Sequence, residues 1–225
     1  MENKFKEIEK LVEKELKPVG VDHNIDHVRR VYALCLKIAR SEKGVDLVVL
    51  RPAALLHDIG YQRDHRVGTD IHDIISAEMS EKILSDLEFT KDQIDKIKDC
   101  ILSHRFRTDH KPKTIEAKIL FDADKLEAVG AIGLIRGAIW LPKMGGNPFS
   151  IDDPKNYAEI NHAGGKENGK ILDWAKHNFF KEYRSKSRTL PKKLYTKKGR
   201  ELARARTIFE KQFLTELKGE IEGRR

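Results

Sequence analysis

Apolar residues recur at intervals of three and four along almost the whole chain, the repeat of one face of an α-helix. The pattern predicts helices at about 2–17, 22–42, 46–58, 71–87, 90–104, 114–129, 131–140, 165–182 and 196–219. Asp22, Asp46, Thr90 and Thr114 stand where N-caps are expected, and Gly44 and Gly60 where helices stop. Pro52 falls inside the 46–58 segment and predicts either a kink or a later helix start. No segment alternates with period two between hairpin turns, so the reading is an all-α fold. Two stretches break the rhythm. Residues 60–70 read as a polar turn, and 141–169, rich in glycine and proline, as a long loop. A loop of that length is either a functional lid or a disordered insertion.

Histidine is where the pattern turns chemical. In helical register His27 lines up with Val31, Leu34 and Ile38, and His57 follows Leu50, Ala53 and Ala54. His72 precedes Ile75, Ser76 and Met79, and His104 follows Ile97, Cys100 and Ile101. These four are expected to face the core. His23, His65, His110, His162 and His177 sit in polar or irregular surroundings and read as surface residues. Asp58 adjoins His57 where an apolar run meets Gly60, so it too is expected to be buried. Asp124 shares a stripe with Ala117, Leu120, Phe121 and Ala128, whereas Asp122 lies on the face of Lys118 and Lys125. Asp124 is therefore the inward candidate, and Asp122 a solvated or capping residue.

Any one of these histidines, taken alone, reads as a satisfied core residue. Together, four inward imidazoles and two inward carboxylates on different helices exceed what pairwise hydrogen bonding satisfies. A shared cation would satisfy several at once. His27, His57, Asp58 and Asp124 would give it a mixed nitrogen and oxygen shell. With no thiolate, that shell favours Mn, Mg, Fe, Ni or Co over a structural zinc. His72 and His104 would bind a second ion or a substrate phosphate.

This arrangement resembles the HD-domain superfamily of metal-dependent phosphohydrolases, whose signature is a His, an adjacent His-Asp and a distant Asp. The matching positions are His27 in His27-Val28-Arg29-Arg30-Val31, the pair His57-Asp58, and Asp124 in Ala123-Asp124-Lys125-Leu126. The segment from Asp122 to Arg136 and the tail from Thr196 to Arg206 resemble the small stand-alone HD hydrolases, some of which are nucleotide pyrophosphohydrolases. His72 and His104 match the extra ligands of two-metal members. Gly60-Tyr61 is followed by Gln62, so the signature of the cyclic-dinucleotide phosphodiesterase branch is missing.

The resemblance implies an HD-domain helical bundle over residues 1–140, with a loop and C-terminal helices over 141–225 packing on it. It implies hydrolysis of a phosphate ester or anhydride, of a nucleotide in the first instance, with one or two divalent ions. Asp58 would orient the attacking water, and His72 or His104 would act as acid or base where a single ion binds. Lys125, Arg63 and Arg105 would meet the phosphoryl group. A di-iron HD-type oxygenase and a nucleic-acid-binding module with a vestigial site are the alternatives.

Charge adds one further element. The chain of 225 residues carries a formal +8, yet residues 181–206 alone hold eleven Lys/Arg against two Glu. That run is either a solvated face or an electrostatic funnel for a phosphorylated small molecule. No aromatic series accompanies it, so nucleic acid is not the favoured partner. Cys35 and Cys100 lie on apolar faces without CxxC spacing and read as buried free thiols. With no apolar leader and no run of ~18 apolar residues, a cytoplasmic protein with no membrane contact is expected, a homodimer being the default assembly.

Overall fold

The computed structural model describes residues 1–20, 23–67, 70–106, 110–167 and 169–225, the side chains of 65–67 excepted. Among the described residues there are helices and short 3-10 turns but no strand, and one isolated bridge joins His162 to Ile171. The fold is all-α, and no helix among these residues is long and apolar enough to cross a membrane. The chain divides into two compact units, Met1–Asp124 and Lys125–Arg225.

Unit 1 contains α1 (Glu2–Leu16), α2 (Ile25–Ala39), α3 (Leu47–Leu56), α4 (Tyr61–Val67), α5 (His72–Asp86), α6 (Lys91–Leu102) and most of α7 (Ile115–Leu126). Helix α3 is its axis, packing against α1, α2, α5 and α6. Its sequence explains that place: Val49, Leu50 and the run Pro52 to Leu56 are all buried, and Arg51, paired with Glu2, is its one charged residue. Asp46 caps it, its carboxylate accepting from the Val48 N–H at 2.8 Å. Pro52 lies in the second turn rather than at the start, which costs the Val48 carbonyl its usual donor. Thr90 and Gln93 form a reciprocal capping box at α6, and the Thr114 hydroxyl accepts from the Ala117 N–H. Asp22 lies outside the described residues; Asn24 caps α2, accepting from the N–H groups of Asp26 and His27. Cys35 and Cys100 are free and buried, as expected.

The turn after α3 is held by glycine. The Gly60 N–H donates to Ser76 Oγ at 2.9 Å. A Cβ at position 60 would stand 2.6 Å from the Ser76 nitrogen and 2.9 Å from the Ile75 carbonyl carbon. Helix α5 therefore packs directly on this backbone. Residues 60–70 correct the expected polar turn, because Tyr61–Val67 is helical. Its seven residues span under two turns, too short for a periodic stripe to register.

Unit 2 contains α8 (Gly130–Lys143), α9 (Tyr157–Asn161), α10 (Phe179–Ser185) and α11 (Lys197–Ile221). The helix expected at 165–182 is corrected: residues 174–176 form a 3-10 turn and α10 starts only at Phe179. Asn178 sets that start, its side chain accepting from the Lys181 N–H. Within the 141–169 stretch Tyr157 is fully buried and anchors α9. Helix α11 packs on α8, α10 and the 3-10 turn at Ser187–Lys192.

Glu210, on the buried face of α11, is 4% exposed and its Oε2 has no hydrogen bond. Burial first, then the Glu182 charge, push its carboxyl up to about 7 against the bonds from Gly130 and Ser187. Its folded pKa exceeds its unfolded one, so the folded state holds the extra proton. Its contribution to stability is present at low pH and lost as pH rises from about 4.5 to about 7.

Two outcomes follow. Leu50→Ala should cost about 2–5 kcal/mol in urea unfolding, since Leu50 is 0% exposed in the α3 core. Glu210→Gln should stabilise the protein at pH 8 relative to wild type, by about 1–3 kcal/mol, and much less at pH 5. An equal effect at both pH values would show that Glu210 does not titrate in this window.

Candidate metal centre

Asp58 sits in the turn between α3 and α4, 2% exposed, and imidazoles surround its carboxylate. Oδ2 lies 3.1 Å from His23 Nδ1, 3.5 Å from His27 Nε2 and 3.6 Å from His57 Nε2. Oδ1 lies 3.5 Å from Nε2 of both His72 and His104 and forms no hydrogen bond. Asp124 approaches from α7, its Oδ1 3.5 Å from His27 Nε2. The metal-capable atoms gather as His27, His57 and Asp124 on one side and Asp58, His72 and His104 on the other, each trio within 4.8 Å of one another. Asp58 stands between them.

Local structure places each ligand. His57 is the C-cap of α3, and the Tyr61 N–H closes the next turn on the Asp58 carbonyl at 2.9 Å. His27 is in the first turn of α2, oriented by the Asn24 cap. His72 opens α5, its backbone N–H donating to Asp64 Oδ2 at 3.1 Å, with Nδ1 3.7 Å from the same oxygen. His104 follows the end of α6.

Two tautomers can be read directly. His57 Nδ1 bonds the Ala54 carbonyl at 2.9 Å and His104 Nδ1 the Ile101 carbonyl at 2.6 Å. A carbonyl oxygen only accepts, so each Nδ1 carries a proton, and Nε2 is the atom of each ring turned to the centre for a cation to use. That is how a protein fixes a metal-ligating imidazole. Burial lowers the His57 pKa to about 4, against the pull of Asp58, and lowers that of His72 for the same first reason. Burial alone would raise the Asp58 carboxyl; the surrounding imidazoles, His57 first, hold it well below the usual carboxylate range.

His57 Nε2 and His27 Nε2 are 3.4 Å apart, so the His57 lone pair faces either an N–H on His27 Nε2 or a shared ion. Two donors about 2.1 Å from one ion, at right to tetrahedral angles, stand about 3.0–3.4 Å apart. The unsatisfied Asp58 oxygen, the inward nitrogens and this spacing all fit a divalent cation, and the nitrogen and oxygen donor set contains no sulfur.

His27, His57, Asp58, His72, His104 and Asp124 thus come together in one cluster. His23 corrects its surface reading: its Nδ1 donates to Asp58, its ring stacks on Tyr61 at 4.1 Å, and its side chain is only 26% exposed. Its position one helical turn before His27 was the available signal. Asp122 is a second correction, being fully buried. Ala117, Ile119, Leu120, Phe121 and Ala123 are buried as well, so α7 has core on nearly every side and a two-lysine face says nothing of solvent. His162 and His177 are buried rather than on the surface. His177 lies between the Tyr157 hydroxyl at 2.7 Å and Glu182 Oε2 at 3.0 Å, in an aperiodic stretch that helical register cannot sort. His110 is half-exposed on Asp99, and the His65 side chain lies outside the described residues. Arg63 is exposed and bonded to Glu15 at 3.1 Å. Arg105 is held by Asp73 at 3.0 Å and by Asp70. Lys125 is the next residue of α7 after Asp124, partly exposed.

Residues 24–129 match the HD domain family. That stretch, just under half of the chain, is what it shares with the HD superfamily. The chain is 29% identical to YpgQ of Bacillus subtilis (strain 168) over 208 residues, covering 89% of this chain and 85% of that protein. The crystal structure of YpgQ in complex with ADP shares the fold, with TM-score 0.68 and 24% identity over 98% of this chain and 100% of that one. So does a predicted HD superfamily hydrolase from an uncultured Thermotogales bacterium, with TM-score 0.66 and 24% identity over 96% and 91%.

Metal binding has a direct thermodynamic reading. Adding Mn, Co or Ni at about 100 times its dissociation constant should stabilise the protein by about 2.7 kcal/mol, seen as a raised melting temperature that EDTA reverses. His57→Ala should abolish most of that shift. A melting temperature indifferent to all of these ions would exclude the centre.

Proposed function

We propose that this chain is a metal-dependent phosphohydrolase that cleaves a phosphate ester or anhydride of a nucleotide at the Asp58-centred cluster. The carrying observation is the buried carboxylate of Asp58, flanked by imidazole nitrogens with one oxygen left unbonded. In this reading His27, His57, Asp58 and Asp124 hold the first ion, and Asp58, His72 and His104 a second. The ion is of the Mn, Mg, Fe, Ni or Co group, and when bound it supplies an activated water near neutral pH and a charge that polarises a phosphoryl oxygen.

The chain's own residues have separable tasks. Asp58 fixes the geometry between the two trios and orients the nucleophile through Oδ1. His57 and His104 are locked by their carbonyl bonds, so neither ring turns during turnover. Where only the first ion is bound, His72, 14% exposed at its side chain, is left to act as a proton-transfer group. His23 and Tyr61 stack beside it and limit water entry. Lys125 is the cation proposed to meet phosphoryl charge. Arg63 and Arg105 would do so only by exchanging the carboxylates they now hold. The nucleotide assignment draws its support from the ADP complex of the relative YpgQ.

A screen of nucleotides and sugar phosphates with Mn, Mg, Co and Ni tests the proposal. Phosphate or pyrophosphate release should fall by on the order of 10²-fold or more in Asp58→Ala. Release unchanged by that substitution would remove the cluster from the chemistry. Oxygen consumption by the iron-loaded protein, with no hydrolysis under any ion, would favour the di-iron oxygenase instead.

A further inference from the structure

Unit 2 holds an open cavity of about 460 Å³ lined from α10, the C-terminal half of α11, Asp153, Arg188 of the 3-10 turn, and Arg224 and Arg225 beyond α11. That volume is within the range of small-molecule sites, about 300–1,000 Å³. Six cations line it, Arg184, Arg188, Lys211, Lys218, Arg224 and Arg225, against one carboxylate, Asp153. Two of them come from the basic run that the sequence singled out at 181–206.

The counter-charges do not fill the cavity. Asp153 is taken up by Arg184 at 2.8 Å. Arg188 pairs with Glu167 at 3.3 Å and Arg225 with Glu216 at 3.6 Å, and neither acid lines the cavity. Lys218 stands 4.0 Å from Glu222, which also meets Arg224. Such exposed pairs are worth about 0–1 kcal/mol and exchange readily. Lys211 has no acidic partner among the described residues. The cavity is therefore a convergence of like charges whose mutual repulsion a multivalent anion would relieve, with arginines suited to bidentate phosphate binding.

The wall carries the second half of the recognition. Phe180 and Tyr183 are half-buried and Leu214 buried, all facing the same cavity. A cationic rim over an aromatic and aliphatic wall suits a ligand with a phosphate chain at one end and a planar ring at the other. No lining residue belongs to the Asp58 cluster, and the lining contains no histidine and no free carboxylate to hold a metal. We propose that this cavity is a second, non-hydrolytic site for a nucleoside polyphosphate, with the phosphates on Arg184, Arg188 and Lys211 and the base against Phe180 and Tyr183.

Calorimetric titration of the full chain in EDTA separates this site from the metal centre. The probes are a non-hydrolysable β,γ-methylene nucleoside triphosphate, inorganic tripolyphosphate and the free nucleoside. The triphosphate analogue should bind one per chain without metal and with the same affinity, within twofold, in Asp58→Ala. Arg188→Glu combined with Lys211→Glu should weaken it at least tenfold. Both residues are exposed, and a thermal melt checks the fold; Lys211→Met alone, expected to weaken binding severalfold, serves if the double variant melts early. Tripolyphosphate should bind more weakly than the analogue, and the free nucleoside not measurably. No binding in EDTA, loss of binding in Asp58→Ala, or indifference to both charge variants would overturn the site. Equal affinity for tripolyphosphate and the analogue would overturn the role of the aromatic wall. Binding of a 20-mer RNA with none of the mononucleotide would reassign the surface to nucleic acid.

Discussion

The constraint on which unit 1 turns is the burial of an ionised carboxylate. Asp58 is 2% exposed and held well below the ordinary carboxylate range. Removing such a charge from water costs several kcal/mol unless fixed dipoles or opposite charge replace the water. The His23 Nδ1–H supplies one donor, and a cation held by the imidazoles of α2, α3, α5 and the end of α6, each delivered by a helix terminus or its first turn, would supply the opposite charge. Helix ends are where backbone groups still need partners, so the same residues that finish the helices also orient the rings. The Asn24 cap steadies His27, the Asp64 carboxylate steadies His72, and the backbone carbonyls of Ala54 and Ile101 steady His57 and His104.

The packing behind this arrangement is unforgiving in a particular way. Helix α3 is buried along most of its length, Arg51 being its one charged residue, and it ends at the ligand pair. The glycine that follows lets α5 approach to within a methyl radius. His57, Asp58 and His72 are thereby indexed to one another by backbone contact rather than by long side chains, the kind of rigidity a preorganised site needs.

Much of this was legible in the sequence, for identifiable reasons. Helices α1, α2 and α6 each bury a stripe of apolar residues, α3 is a nearly continuous apolar run, and Asp46 and Thr90 cap where expected. The inward histidines were legible because each lines up with apolar residues in helical register. Legibility failed where that signal is absent. Helices α4 and α10 have seven residues each, and α9 five, too few to establish a period. His162 and His177 are buried by tertiary packing in an irregular segment. His23 precedes its helix and so has no face to be assigned to. Asp122 shows the opposite failure: in a helix buried nearly all round, the contrast between faces vanishes, and two flanking lysines gave a false outside.

The two thiols give unit 1 an internal clock. Cys35 and Cys100 are each 0% exposed, and burial pushes Cys100 up to about 12 and Cys35 higher than an ordinary thiol. Neither sulfur is nucleophilic while the helices are closed, because the thiolate is the reactive form. An alkylating reagent can consume them only during excursions in which the bundle opens. The rate of that capture, followed by mass spectrometry, measures how often the bundle opens at α2 and α6, with no foreign residue introduced.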